Sequence, residues 1–370
     1  MAQTKTPFNG QLNSNEIFAS IYNMIISQHV YADNIKGTYN QLVNDVKTDG
    51  TMYGDTKLFY ATDILKSYKW EDYDEAQNLL KTNRPDDPKC QAITLDQFRQ
   101  IFITLDKYLS KRAWSTEGAF GQFQSVVLGM VAETKKVYEA TLINAYVGTI
   151  ETKAPKAAIE IDLTGVDTST EDGRRLEAQT IAQSLADTLV ELQDVSRDYN
   201  EYEFLRSYDS GDFRAVWNSK YVNKIRKVDL PTMFHNDGLV DKFEERVLPS
   251  RYFGEVNASG GTVASGNKTI RALDEMECVN SAGTSVGHVF AGDLLPATAV
   301  YGANETYTED SSIVCKLVHK DAIKFMSAFE VSTSFFNPRS LTENHYLTWG
   351  YSNPDHLLNY PIVKFTAKTK

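Results

Sequence analysis

The sequence contains no run of about 18 apolar residues, the length a membrane-crossing helix needs, so no transmembrane span is expected. Cysteine is scarce. Cys90, Cys278 and Cys315 are the only three, far apart and without a Cys-x-x-Cys pair. That excludes a disulfide framework and a zinc knuckle, and it fits folding in a reducing compartment. Basic charge is short as well: 38 Lys and Arg face 49 Asp and Glu, a formal net charge of −11. An acidic chain has no strong intrinsic pull on nucleic acid, although it can still enclose nucleic acid that another machine pushes in. The six histidines (29, 235, 288, 319, 345 and 356) form no His-x-x-x-His or His-Glu-x-x-His pair, so they read as ordinary core or surface residues rather than metal ligands. The opening "MAQTKTPFNGQLNSNE" has no apolar h-region; it reads as a polar arm and not as a signal peptide.

What is present is length and aromatics. A chain of 370 residues exceeds the roughly 250–300 that one core supports, so two lobes are expected. The 20 Tyr and 18 Phe suit surfaces that become buried against partners, as well as a large core. Residues 14–31 carry a helical stripe of Ile17, Phe18, Ile21, Tyr22, Ile25 and Ile26, with Ser14 as N-cap. Over 48–106 the character changes. "TDGTMYGDTKLFYATDIL" is β-like, "WEDYDEAQNLLKTNRPDDPK" is polar and proline-punctuated, and "QAITL" and "QIFITLD" return as extended segments. An out-and-back excursion of nearly sixty residues is too long for an ordinary loop and marks a functional insert. In the return strand Ile101, Ile103 and Leu105 alternate with Phe102, Thr104 and Asp106, which predicts burial on both faces around 101–103.

A long helix follows, capped by Ser115 or Thr116, with Phe120, Phe123, Val127, Met130, Tyr138, Leu142 and Ala145 on an intermittent stripe and Gly148 as its stop. About 32 helical residues span roughly 48 Å, against a mean helix of about 11–12 residues. "AIEIDL" (158–163) begins a second lobe, and a helix over 172–195 carries Leu176, Ile181, Leu185, Leu189 and Leu192. A strand through 215–217, a turn at Asn218-Ser219 and a helix over 220–227 come next. Residues 250–317 are Gly/Ser/Thr-rich with short β segments, and "ASGGTVASGNKT" reads as an exposed loop. "AIKFMSAFEVSTSFF" and "ENHYLTWGYS" are two closing strands.

Chemical motifs are weak. "GTSVG" (283–287) offers Ser285 as a nucleophile, with Asp293, Asp321, His319 and His356 as partners on paper, but a nucleophile elbow needs a buried strand before it and a helix after it. "NSA" and "HVFAGD" supply neither. A Ser hydrolase using Ser285 is therefore only an alternative. "GTVASGNKT" (261–269) misses a phosphate loop because Asn267 displaces Lys268 and Thr269. "DTSTEDG" (167–173) is faintly calcium-like, yet N-capping of the following helix explains it better. The sequence assigns no catalytic residue, cofactor or metal site.

The order of elements, the phrases "ITLDQFRQIFITLD" and "NSKYVNKI", and the closing "FEVSTSFFNP…NHYLTWGYSNP" resemble the major capsid proteins of tailed bacteriophages, above all the short-tailed, small-genome type. The same shell fold serves herpesviruses and encapsulins. The resemblance implies an α+β chain: an N-terminal arm and helix (1–47), an E-loop excursion and return strand (48–110), a P-domain spine helix (111–150), an A-domain (151–318, with 257–317 as an insertion) and C-terminal P-domain strands (319–370). It implies a non-enzymatic structural protein, in pentamers and hexamers, that builds an icosahedral capsid around a double-stranded DNA genome without reading its sequence. A scaffolding protein and a portal are the implied partners, no membrane is involved, and the shell forms in the bacterial cytoplasm before becoming part of the virion. An encapsulin-like compartment is the structural alternative. No lysine–asparagine cross-link is assigned.

On that resemblance the subunit-interface candidates are Phe59, Tyr60, Tyr68, Trp70, Asp72, Asp74, Arg84 and Arg112. The acidic patch 71–75 is either a solvated strand tip or a charged patch that docks on a basic patch of a neighbour, with Arg112 as a partner in the second case. Replacing Asp72 and Asp74 with lysine is predicted to block shell formation while the subunit still melts normally. Normal particles from the double variant, seen by electron microscopy, would remove the docking idea.

Overall fold

The computed structural model describes residues 39–48, 54–67, 82, 84–105, 117–225, 244–265 and 269–369. The expected helix at 14–31 lies outside them. The chain divides into two compact units, one of 39–97, 138–328 and 351–370, the other containing 98–137 and 329–350.

The larger unit is built on a five-stranded sheet in the order Ala158–Asp162, Ile362–Lys368, Ile313–His319, Phe213–Asn218, Glu244–Leu248. The outer pairs are parallel and the inner pairs antiparallel. Because side chains alternate along a strand, each strand gives one set to each face. One face is dry. Phe213, Ala215, Trp217, Cys315, Leu317, Val363 and Phe365 pack with Ala178, Ile181, Leu185, Leu189 and Leu192 of the helix Glu171–Gln193. Each of the buried Ile, Leu and Val side chains among them contributes about 2 kcal/mol. The helix starts where the sequence says: Thr170 Oγ1 accepts the Gly173 N–H at 3.1 Å, and Glu171 and Asp172 sit at the positive end of the helix dipole. Leu176, assigned to its apolar stripe, is instead 51 % exposed, because Ala178 holds the phase that faces the sheet.

The opposite face carries charge. Arg214 donates to Glu244 at 3.1 and 3.2 Å, and Arg246 grips Asp45, of the short helix Gln41–Val46, through Nε at 2.8 Å and Nη2 at 3.2 Å. Hydrogen bonding from Arg214 outweighs desolvation and holds the Glu244 carboxyl below its ordinary range. Lys316, fully buried at the centre of the sheet, donates from Nζ to the Ile150 carbonyl at 2.7 Å. That carbonyl lies just past the long helix Glu117–Thr149, where a cation satisfies an orphan acceptor and the negative end of the dipole together. Beside it, Glu151 pairs with Lys364 at 2.5 Å.

The long helix agrees with the sequence reading in length. Within the larger unit its residues 138–149 are buried nearly all round rather than along a stripe, with Tyr138, Ile143, Ala145 and Val147 almost inaccessible. Polar residues there find partners: Tyr138 Oη meets Tyr351 Oη at 2.9 Å, Glu139 accepts from Ser327, and Asn144 Nδ2 donates to the Tyr39 carbonyl at 3.3 Å, while Asn144 Oδ1 is buried with no hydrogen bond among the described residues. Gly148 is not a left-handed stop. It is helical, and a Cβ there would stand 2.0 Å from the Tyr252 carbonyl oxygen, so the residue is small because another backbone crosses it.

Residues 254–309 form two small sheets around their own core of Val263, Ala272, Cys278, Val289, Leu295 and Ala299. Val263 corrects the reading of 258–269 as only an exposed loop. The segment 213–225 also differs from expectation. Phe213–Asn218 runs into the helix Ser219–Ile225 without an intervening turn, and Asn218 Oδ1 accepts the Lys220 N–H at 3.0 Å. The final strand, grouped by the sequence reading with the other C-terminal strands, joins the central sheet beside Ala158–Asp162.

In the smaller unit the strand Gln97–Leu105 lies at the edge of a sheet beside Thr342–Tyr351, which pairs in turn with the second half of Ile323–Asn337. Lys135 of the long helix meets Glu330 at 2.5 Å.

Burial drives the Lys316 ammonium down to about pKa 7 from 10.5, with Glu151 opposing the shift and Lys364 adding to it. Between those two values the folded chain holds fewer protons than the unfolded one, so stability rises with pH across that window. Below about 7 both states are protonated and the full desolvation penalty applies. Lys316→Met is predicted to flatten this part of the melting-temperature profile. Identical profiles for variant and wild type would refute the assignment.

Candidate assembly surfaces

The described strands of the excursion form an antiparallel ribbon, Thr56–Ala61 with Lys89–Thr94, in register from Thr56 opposite Thr94 to Ala61 opposite Lys89. Its two faces have opposite fates. Phe59 and Ile93 turn inward, onto Leu95, Met326 and Leu357. Leu58 and Tyr60 turn outward, Tyr60 with 66 % of its surface exposed, and Leu65 beyond the strand is 74 % exposed. An exposed apolar face on a two-stranded ribbon is a liability for a solitary molecule and an interface for an assembling one.

The edge strand Gln97–Leu105 repeats the pattern. Ile101 and Ile103 are half-buried and Leu105 buried, while Phe98 is exposed and Phe102 is 72 % exposed. The expectation of burial on both faces is therefore wrong for the isolated subunit. On the open side Gln100 donates to Thr348 Oγ1 at 3.0 Å and Thr104 to Asn344 Oδ1 at 2.7 Å, which fixes the strand while leaving its phenylalanines uncovered. Phe335, Phe336 and Leu341, at the turn between the closing strands, are exposed as well.

Of the sequence-derived candidates, Phe59 is half-buried in its own subunit, Tyr60 is exposed on the outer face and Arg84 is exposed beyond the ribbon. Tyr68, Trp70, Asp72, Asp74 and Arg112 lie outside the described residues. Leu58, Leu65, Phe102 and Phe335 are further exposed apolar residues that the sequence did not single out. Their signal is the period-2 alternation, but alternation alone does not say which face is covered.

Catalytic arrangements dissolve. Ser285 opens the strand Ser285–Val289, opposite Val279, and no helix follows it. His319 is buried, stacked on Tyr360 at 4.5 Å and edge-on to Phe213 and Tyr208, and burial lowers its pKa. His356 is held by Glu201 at 2.9 Å and Tyr146 Oη at 3.3 Å. A cleft of about 1170 Å³ is lined by carboxylates, among them Glu151, Asp274, Glu275 and Asp355. They pair with Lys364, Tyr138, His288 and Gln91 respectively. Among the described residues no His/Cys/Asp/Glu cluster is placed to hold a metal.

Residues 2–352 match the family of Phi29-like phage major capsid proteins. The chain belongs to that family. The fold agrees. A chain of the native bacteriophage P68 structure that describes its head fiber and inner core protein gp22 is similar at 13 % identity and a TM-score of 0.61, over 98 % of this chain and 90 % of that one. The capsid structure of Staphylococcus phage Andhra is similar at 11 % identity and a TM-score of 0.58, over 93 % and 89 %. No curated protein matches the sequence. The capsid protein is thus a structural, self-associating component of a phage shell, with the α+β capsid fold, and not an enzyme.

For this capsid protein, Phe102→Ser is predicted to change subunit stability by no more than about 0.5 kcal/mol, because the side chain is mostly in water already. Its yield of assembled particles should fall clearly. A denaturant melt and a sedimentation profile check both halves, and a large stability loss would place Phe102 in the fold instead of an interface.

Proposed function

We propose that the subunit assembles through pentamers and hexamers into an icosahedral shell that encloses a double-stranded DNA genome, with the ribbon as an overlapping E-loop. The observation that carries this reading is the two-faced ribbon, anchored by Phe59 and Ile93 on one side and presenting Leu58 and Tyr60 on the other. A neighbouring copy supplies what covers the outer face. Many modest contacts in closed rings then hold the shell, since each additional contact acts intramolecularly. In this reading 48–110 is the E-loop excursion, 111–150 the spine of a P-domain and 151–318 the bulk of an A-domain, whose sheet is completed by Ile362–Lys368.

A scaffolding protein and a portal are the further partners in this proposal, and assembly occurs in the bacterial cytoplasm. The net charge of −11 supports packaging without adhesion, because an acidic wall does not hold the polyanion it surrounds.

Negative-stain microscopy of the purified chain, alone and with its scaffold, is expected to show shells, tubes or rings. Ser285→Ala is expected to leave those particles unchanged. Featureless monomers at high concentration under both conditions would overturn the proposal.

A further inference from the structure

A two-stranded ribbon is marginal by itself and twists strongly, so its own ladder does not fix the direction in which it points. That direction is set where the ribbon meets the body, by the packing of Phe59 and Ile93 and by the polar bonds beside them. Both legs are held there by polar clips. On the outgoing leg the Asp63 carboxylate, only 12 % exposed, accepts from Arg197 Nη1 at 2.7 Å and from the amides of Leu205 and Ile64 at 2.9 Å each. The neighbouring Thr62 carbonyl accepts from Arg206. On the return leg the Gln91 amide is used at both ends. Nε2 donates to the His356 carbonyl at 2.6 Å and to Asp355 at 3.3 Å, while Oε1 accepts the Leu358 N–H at 3.1 Å.

The receiving loop, 196–206, is itself tied. Ser196 and Arg206 exchange backbone bonds at 2.9 and 3.0 Å. The Asn200 side chain bonds both the carbonyl and the amide of Phe204, at 2.8 and 2.9 Å. Glu203, in the left-handed region at φ 54°, turns its carbonyl to Arg197 Nη1 at 2.6 Å. Such a loop presents its donors already oriented, so Asp63 meets a fixed socket. Desolvation raises the Asp63 carboxyl, and the bonds from Arg197, Leu205 and Ile64 outweigh it, leaving the group ionised at neutral pH.

We propose that Asp63 and Gln91 are positioning residues that fix the angle at which the ribbon leaves the subunit, and with it the angle between neighbouring copies in the shell. The inference rests on the shell-forming reading above. A repeated angle decides whether identical contacts close into a shell or run on as an open lattice, so a small change at these clips is multiplied over every copy.

The test compares the full-length wild type with Asp63→Ala/Gln91→Ala, Asp63→Asn and Gln91→Ala, each assembled under the same conditions. Melting temperature, particle yield and particle diameter are measured. The double variant is expected to fold, while its closed particles of wild-type diameter fall about tenfold, the factor that losing a charge-assisted bond implies, in favour of off-size or open forms. Asp63→Asn, which keeps an acceptor for the two amides, should recover part of the loss. If the double variant fails to fold, the two single variants decide by the same readouts. A lower melting temperature with unchanged particle diameter would reduce the clips to ordinary fold contacts and overturn the inference, as would wild-type yield and diameter. A wild type that forms no closed particles overturns the shell-forming reading, and the clip inference with it.

Discussion

The strand Ile313–His319, like its neighbour Phe213–Asn218, is buried along its whole length, and the rest of the larger unit is arranged around the contradiction it contains. Its dry face receives the helix Glu171–Gln193 and supplies most of the apolar burial. Its other face carries Lys316 where a hydrophobic residue would be expected. A buried ammonium is costly unless it is given an acceptor. The structure gives it the carbonyl that follows the long helix, so one hydrogen bond joins the centre of the sheet to the end of the rod. The same face gathers Arg214, Arg246 and Asp45, which bind the short helix Gln41–Val46 to the sheet by charge, in addition to the burial of its Leu42, Val43 and Val46.

Other elements of the chain are only half satisfied. The ribbon buries Phe59 and Ile93 and leaves Leu58 and Tyr60 in water, and the edge strand buries Leu105 and leaves Phe102. These are not defects of packing, because the inner faces of the same strands are well ordered by core contacts and polar clips. In the proposed reading they are surfaces whose second half belongs to another molecule. A shell protein needs this division: the subunit must be stable before assembly, yet it must keep enough uncovered apolar area that association is favourable once copies meet.

Among the described residues the catalytic partners that can be drawn on paper are not assembled. Ser285 is in a strand, His319 is packed among aromatic rings, and the carboxylates of the large cleft are divided among separate partners. Nothing in these surroundings couples Ser285 to a base.

Much of this was legible in the residues. Periodicity and capping gave the long helix, the helix begun by Thr170 and the two closing strands, because those signals are local. The order of elements and a few phrases pointed to the capsid family. Other features depended on what approaches from elsewhere. Gly148 looked like a helix stop but is small because Tyr252 crosses it, and Leu176 fell on an apparent stripe but faces water. Val263 looked like loop and proved to be core, and Ile362–Lys368 joined a sheet whose other strands are far away in sequence. Asp63 and Gln91 carry no local signal, since their meaning lies in donors and acceptors roughly 130 to 270 residues distant. The sequence by itself determined which segments are helix and strand, and that the chain carries alternating faces with little chemistry. Only the tertiary structure decided which of those faces is covered, because burial is a property of pairs of segments and not of either one alone.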